Sequence, residues 1–338
     1  MGKAYKYRGG IGIFDDKGNS IFHRDVDTLA NNKIYLPTIS QLNDPTEGFF
    51  DDSQIKRFVA QHKRESKQFV KAYREIKKKR GEVGVYSLSR NVDNELLWAY
   101  YATGHTGFAI EFDTELLAKS LNYNSYIPLL HELDVAYKDK VPKLNMADLP
   151  PICPDFKSFL QITLASKSNS WGHEQEIRLI FEYAGLFEID YHAITAIYFG
   201  CRMQQQEMDY IMEHLKGKGI SYYKMELIPK SYKFESKKIT DKFAKANPPK
   251  TQIKYDFEKL LSSACLLEDE IIQFRDYFKK ALDIVSIDTT ISSIYLIALS
   301  NSDTTPILKV FANTRIDIAP VKTFQFLINE NKELVQLD

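Results

Sequence analysis

The 338-residue chain has little cysteine: Cys153, Cys201 and Cys265 are odd in number and far apart, with no C-x-x-C spacing. That excludes a disulfide framework and a zinc–cysteine site, and it fits a reducing cytoplasm. Long apolar runs are missing too. The uncharged, apolar-leaning stretch Thr289 to Ser302 has 14 residues and is rich in Ser and Thr, short of the roughly 20 a membrane-spanning helix needs. The first residues, Met-Gly-Lys-Ala-Tyr-Lys-Tyr-Arg, lack the apolar core of a signal peptide. No membrane association is expected, and the expected location is the cytoplasm. Neither charge dominates, because 45 Lys and Arg balance 45 Asp and Glu. Wholesale coating of nucleic acid is thereby excluded, while a local basic patch is not. With 15 Gly and 12 Pro and 44% hydrophobic residues, the chain is neither collagenous nor low-complexity.

Phosphate loops, G-x-G-x-x-G turns, H-E-x-x-H helices and G-x-S-x-G elbows are absent as well, so the common nucleotide and hydrolase machineries find no support. The patterning is that of an α+β protein with a mixed or antiparallel sheet core and flanking helices. Strands are expected at Tyr5 to Tyr7, Gly12 to Phe14, Lys33 to Leu36, Val83 to Leu88, Gly107 to Phe112, Glu176 to Glu182, Ile194 to Phe199 and Tyr222 to Ile228. Residues 1–229 read as one domain with a cleft. Residues 230–250, with seven Lys, two acids and a closing Asn-Pro-Pro-Lys, read as a linker. A small α+β unit follows at 251–338, with a long amphipathic helix or helical pair from Tyr255 to Asp283. Its surplus of apolar residues points to an oligomer contact or a regulatory protein partner.

One helical stretch, Gln54 to Arg80, carries eleven Lys or Arg against Glu65 and Glu75. Its apolar residues recur at three- and four-residue spacings, leaving a basic face that includes Lys71, Arg74, Lys77 and Lys78. That face meets either solvent or the phosphates of a nucleic acid.

The residues able to carry chemistry sit in strand-like or turn-like surroundings. In chain order they are Tyr7-Arg8, Asn43-Asp44-Pro45-x-Glu47, Ser89-Arg90, Trp98-x-x-Tyr101-x-x-x-His105-x-Gly107, and Lys167 followed by Trp171-x-x-Glu174-x-Glu176-x-Arg178. Glu176 lies on an apolar strand, where its carboxylate either faces a cleft or pairs with Arg178 or Lys167 to order the strand. Arg90 is suited to a bidentate grip on phosphate, or is a surface residue in a turn. Trp98 and Tyr101, three apart, form either an aromatic wall or part of the core. Asp44, Glu47, His105 and His173 offer the ligand types of a metal-dependent nuclease, although none is clustered in sequence.

Together with Ile194, Ile197 and Gly200, these residues resemble a bacterial family called domain of unknown function 2971, over about residues 5 to 228. A second resemblance is to ADP-ribosyltransferase toxins that modify DNA bases, carried by the Tyr-rich first strand, Ser87-Leu88-Ser89-Arg90 and Gln175-Glu176-Ile177-Arg178-Leu179-Ile180. A Ser-Thr-Ser motif and a His-Tyr-Glu triad are missing. This resemblance implies NAD as substrate and a toxin or phage-defence role. It assigns Glu176 as the catalytic carboxylate, with Arg90, and assigns Tyr7, Arg8, Arg90, Trp98, Tyr101 and His105 to NAD contact. The other reading is a module without catalysis that binds nucleic acid or a protein partner.

Overall fold

A computed structural model describes residues 2–63, 66–125, 128–149, 157–249, 253–264, 266–288, 290–302, 305–314 and 321–337. Cys153, Cys265, Arg64, Glu65, Lys250 and the proline-rich stretch 150–156 lie outside the described residues. The chain divides into two compact units, Met1–Asn247 and Pro248–Asp338, and is α+β throughout.

The first unit runs β1 (Lys3–Arg8), α1 (Ile21–Ala30), β2 (Lys33–Leu36), α2 (Ser53–Gln61), α3 (Lys67–Glu82), β3 (Gly84–Ser89), α4 (Glu95–Tyr100) and β4 (Phe108–Asp113). It continues through α5 (Thr114–Ser125), β5 (Leu129–Asp134), β6 (Ala136–Lys138), α6 (Lys157–Leu164), β7 (Ser166–Ser168), β8 (Glu176–Phe181) and β9 (Gly185–Glu188). It closes with β10 (Ile194–Phe199), α7 (Gln205–His214), β11 (Ser221–Leu227) and β12 (Phe234–Ile239). Eight strands form one sheet in the order β12-β11-β10-β4-β1-β3-β8-β5. Every neighbour is antiparallel except β10 and β11.

Two-residue alternation sorts the side chains of this sheet onto its faces. Ala4, Tyr86, Leu88, Ile177, Leu179 and Phe181 join one core, packed with Phe22, Val26 and Leu29 of α1, Leu117 and Leu121 of α5 and Ile211 of α7. The opposite face takes Tyr7, Ala109 and Tyr198 under Leu97 and Trp98 of α4. Further along that face, Val85 and Ile180 pack under Ile55, Phe159, Leu160 and Leu164.

One joint in the sheet is incomplete. β1 pairs with β4 along its whole length, from Lys3↔Asp113 to Arg8↔Phe108, but meets β3 only at Tyr5↔Ser89. Beyond that pair the two strands part, leaving a split in the middle of the sheet.

A dense backbone crossing stands beside the split. Thr103, Gly104 and His105 all take positive φ (47°, 61° and 70°), folding the chain tightly between α4 and β4. The amide of Gly200, after β10, donates to the Gly107 carbonyl, and Arg202 N donates to that of His105. A Cβ on Gly107 would overlap the Arg8 carbonyl oxygen, and one on Gly200 that of His105. The glycines therefore let three strand ends stack at backbone distance.

The structure corrects three expectations. Gly12 to Phe14 is a turn closed by a single Phe14↔Ser20 bridge, not a strand. The basic stretch is two helices, α2 and α3. Residues 234–239, expected inside a linker, form an edge strand paired with β11 from Tyr222↔Ile239 to Leu227↔Phe234. Lysines suit that position because an edge strand keeps one side in water, and they discourage further pairing.

In the second unit, α8 (Phe257–Ser263) and α9 (Glu268–Ser286) precede the antiparallel sheet β13 (Ile291–Ser302), β14 (Thr305–Thr314), β15 (Val321–Ile328) and β16 (Leu334–Leu337). Glu268, Asp269 and Glu270 occupy the first turn of α9, where the helix dipole favours negative charge. Phe274, Phe278, Leu282 and Val285 pack on Ile297, Leu308, Val310 and Phe326 of the sheet.

Candidate functional site

The split opens into a cavity of about 370 Å³. Tyr5, Lys6, Tyr7 and Arg8 of β1 line one wall, and Ser87, Leu88 and Ser89 of β3 the other. Tyr35 and the loop after β2, with Gln41, Asn43 and Glu47, complete the lining together with Tyr101, Lys167, Glu174 and Glu176. Strand registers build this arrangement: Tyr5↔Ser89 and Ser89↔Glu176 place three side chains in one row across β1, β3 and β8.

Behind the cavity lies a network of buried charges. Arg178, wholly buried, donates from Nε to Glu176 Oε1 (2.8 Å), from one terminal nitrogen to Glu47 Oε1 (2.7 Å) and from the other to the Leu164 carbonyl (2.5 Å). Lys167 Nζ stands 2.6 Å from Glu174 Oε2, 3.4 Å from Glu47 Oε1 and 3.6 Å from Glu176 Oε2, with the Trp171 ring at 4.6 Å. Tyr101 Oη donates to Glu174 Oε1 at 2.6 Å. Tyr101 reaches it because Asn94 caps α4, accepting from Leu96 and Leu97 N, and its amide also donates to the His173 carbonyl. Three carboxylates thus face two cations, and the second carboxylate oxygen of Glu47 is buried without a partner.

Burial works against ionisation of Glu176, but Arg178 and Lys167 outweigh it and hold the carboxyl down at about 2. A carboxyl held below its ordinary value contributes stability that is present above the unfolded value and lost as pH falls towards the folded one. Thermal stability is accordingly expected to drop as pH falls from about 4.5 towards 2, and Glu176→Gln should flatten that slope. An unchanged acid slope in the variant would show that Glu176 does not carry the effect. Lys6 moves the other way: desolvation in the split, together with Arg8, brings its ammonium down to about 7.

The residues singled out in the sequence do not all meet here. Tyr7, Arg8, Tyr101 and Glu176 line the cavity. Tyr7 donates to the Asn91 carbonyl (2.8 Å), and Arg8 Nε lies 3.7 Å from Asp25. Arg90 does not line it: it sits past the end of β3, exposed, with its guanidinium on Asp134 at 2.5 Å. Trp98 is not a cavity wall. It is wholly buried, donating to the Val92 carbonyl (2.6 Å) and packing edge-on against Tyr7 at 5.2 Å. His105 stacks on Phe234 at 5.2 Å, away from the cavity. Lys71, Arg74, Lys77 and Lys78 are exposed on α3. Lys77 lies 3.7 Å from Asp52, and Lys78 lies 3.8 Å from Glu82.

Asp44, Glu47, His105 and His173 are not gathered, and among the described residues no group of three or more His, Cys, Asp or Glu is placed to hold a metal ion. Among the described residues, no helix is long and apolar enough to cross a membrane.

Lys6 falls within the Tyr-rich opening segment, and the sequence assigns it no role. Glu174 and Lys167 were legible only as members of ion pairs, with Glu174 or Glu176 meeting Arg178 or Lys167.

Residues 97–179 match the model of a family described as protein of unknown function (DUF2971). The match to DUF2971 runs from α4 into β8, and so takes in Tyr101, Lys167, Glu174, Glu176 and Arg178. Lys6, Arg8 and Glu47 precede it. Neither a curated protein nor a solved structure matches the chain.

Proposed function

We propose that the split cavity binds NAD as a substrate and breaks the bond between its ribose and nicotinamide, passing ADP-ribose to an acceptor. What carries this reading is the convergence of the Tyr5–Ser89–Glu176 row with Arg8 on a single cavity. Breaking that bond leaves positive charge on the ribose ring. A carboxylate already ionised and fixed by Arg178 and Lys167 stabilises this charge without reorganising. Arg8, rather than Arg90, supplies the guanidinium fork for a pyrophosphate. Tyr5, Tyr7, Tyr35 and Tyr101 offer ring edges and faces to the nicotinamide ring and sugar. The exposed basic face of α3 supports a nucleic-acid acceptor, and an intracellular toxin or phage-defence role follows from such transfer.

The test is release of nicotinamide from labelled NAD, with and without oligonucleotides. Glu176→Gln is expected to lower the rate about 10²–10³-fold, and Arg8→Gln to raise KM. Reversing Lys71, Arg74, Lys77 and Lys78 should weaken transfer to oligonucleotide while sparing hydrolysis. No release by the wild-type chain under any of these conditions overturns the reading.

A further inference from the structure

Resting on the reading of the cavity as an NAD-cleaving site, we propose that Lys6 is the catalytic base that takes the proton from the acceptor. Strand alternation would send Lys6 to the face of Ala4, into the apolar core. The split spares it that. Its Nζ reaches across the gap between β1 and β3, donates to the Ser87 carbonyl at 2.8 Å and lies 5.1 Å from the Tyr86 ring centroid, with its side chain lining the cavity. Among the described residues, no carboxylate stands within ion-pair distance of it. The groups whose charge it feels are Arg8 on β1, Glu174 in the turn before β8, and Glu176 and Arg178 on β8, while the Tyr86 ring of β3 lies beside it.

The other lining groups are poorly placed for the task. Arg8 carries a guanidinium that presents donors only. For Lys167, burial favours the neutral amine, but Glu176, Glu174 and Glu47 outweigh it and hold the proton on. Glu176 is too acidic to accept a proton near neutrality. Burial and the nearby Glu111 push the Tyr5 hydroxyl up to about 12, and burial pushes Tyr7 and Tyr101 up as well. Lys6, drawn down to about 7 by desolvation and Arg8, lies near the operating pH, where a general base is most effective.

In the proposed step the Nζ lone pair accepts the proton of the acceptor's O–H or N–H. The freed oxygen or nitrogen forms its bond to the anomeric carbon of the ribose. The carbon–nitrogen bond to nicotinamide breaks with its electron pair passing to the ring, and neutral nicotinamide leaves. The Lys6 ammonium then returns its proton to solvent.

The experiment is the pH profile of nicotinamide release by the full chain, wild type against Lys6→Gln and Lys6→Arg, with NAD binding measured by equilibrium dialysis. The wild-type kcat/KM is expected to climb and level off above about 7. Both variants should lose that limb and about 10²–10⁴-fold in kcat, with NAD affinity within a few-fold. Lys6→Arg keeps the charge and a donor for Ser87, so it separates loss of the base from loss of folding. Competitive acetylation followed by mass spectrometry reads the amine directly and needs no turnover. Lys6 should titrate near 7, against about 10.4 for a free lysine side chain. Release by the wild type with the limb intact in either variant, or acetylation of Lys6 with the pH dependence of a free lysine, overturns the role of Lys6 alone. No release by the wild type overturns the NAD reading and this role with it.

Discussion

Arg178→Met is expected to destabilise the first unit by about 3–5 kcal/mol, the cost of removing one partner from a buried ion pair. The substitution leaves Glu47 and Glu176 buried opposite Lys167 alone, and strips the Leu164 carbonyl of its donor. Thermal melts of the full chain would read it as a fall of roughly 10 °C, taking about 2–4 °C per kcal/mol for a unit of this size. Adding Glu176→Gln to Arg178→Met should restore part of the loss, because one uncompensated charge disappears. A melt within 2 °C of wild type for Arg178→Met, on the order of 1 kcal/mol or less, would mean that solvent already screens the network.

Two glycine substitutions should act in opposite directions. Gly200→Ala places a methyl group against the His105 carbonyl oxygen, which backbone geometry fixes and no rotamer change can relieve. The expected cost is about 1–3 kcal/mol or more. Because the crossing holds the start of β4 against Arg8, Gly200→Ala should also raise KM for the cavity's ligand. Gly81 lies inside α3 with open space where its Cβ would be, so Gly81→Ala should stabilise by about 0.5–1 kcal/mol. Equal melting temperatures for the two variants would refute the crossing as a packing constraint.

The contrast between these glycines shows what the sequence could and could not convey. Gly107 and Gly200 stood out as members of a pattern, but nothing local shows that their backbones touch other strands. Tyr7, Arg8 and Tyr101, which line the cavity, stood out through a family resemblance and Glu176 also through its place on an apolar strand, whereas strand alternation and helix spacing are only short-range rules. Trp98 and Tyr101 show the limit of those rules. Three residues apart, they share one side of a helical wheel, yet α4 ends at Tyr100, so Trp98 turns into the core while Tyr101 reaches Glu174. Arg90 follows a strand that feeds the cavity, but the strand has ended by that point and the side chain leaves for Asp134. Lys6 was illegible for a different reason: its setting depends on β1 and β3 parting, and a gap between strands 80 residues apart in the chain leaves no periodic mark. The lysines of β12 mimic a linker because edge strands and linkers are wetted alike.

The incomplete joint between β1 and β3 makes the first unit a pair of rafts, β12-β11-β10-β4-β1 and β3-β8-β5, moored at Tyr5↔Ser89 and by the reach of Lys6 to Ser87. Each raft has its own ladder, and slack between them is resisted at these points, by the hydrogen bond from Tyr7 to the Asn91 carbonyl and by the helices they share. A molecule lodged in the cavity touches both and becomes an extra mooring line. Occupancy then stiffens the unit as a whole, and the amides of β1 and β3 that face the gap become a built-in gauge of occupancy, their hydrogen exchange slowing as the site fills.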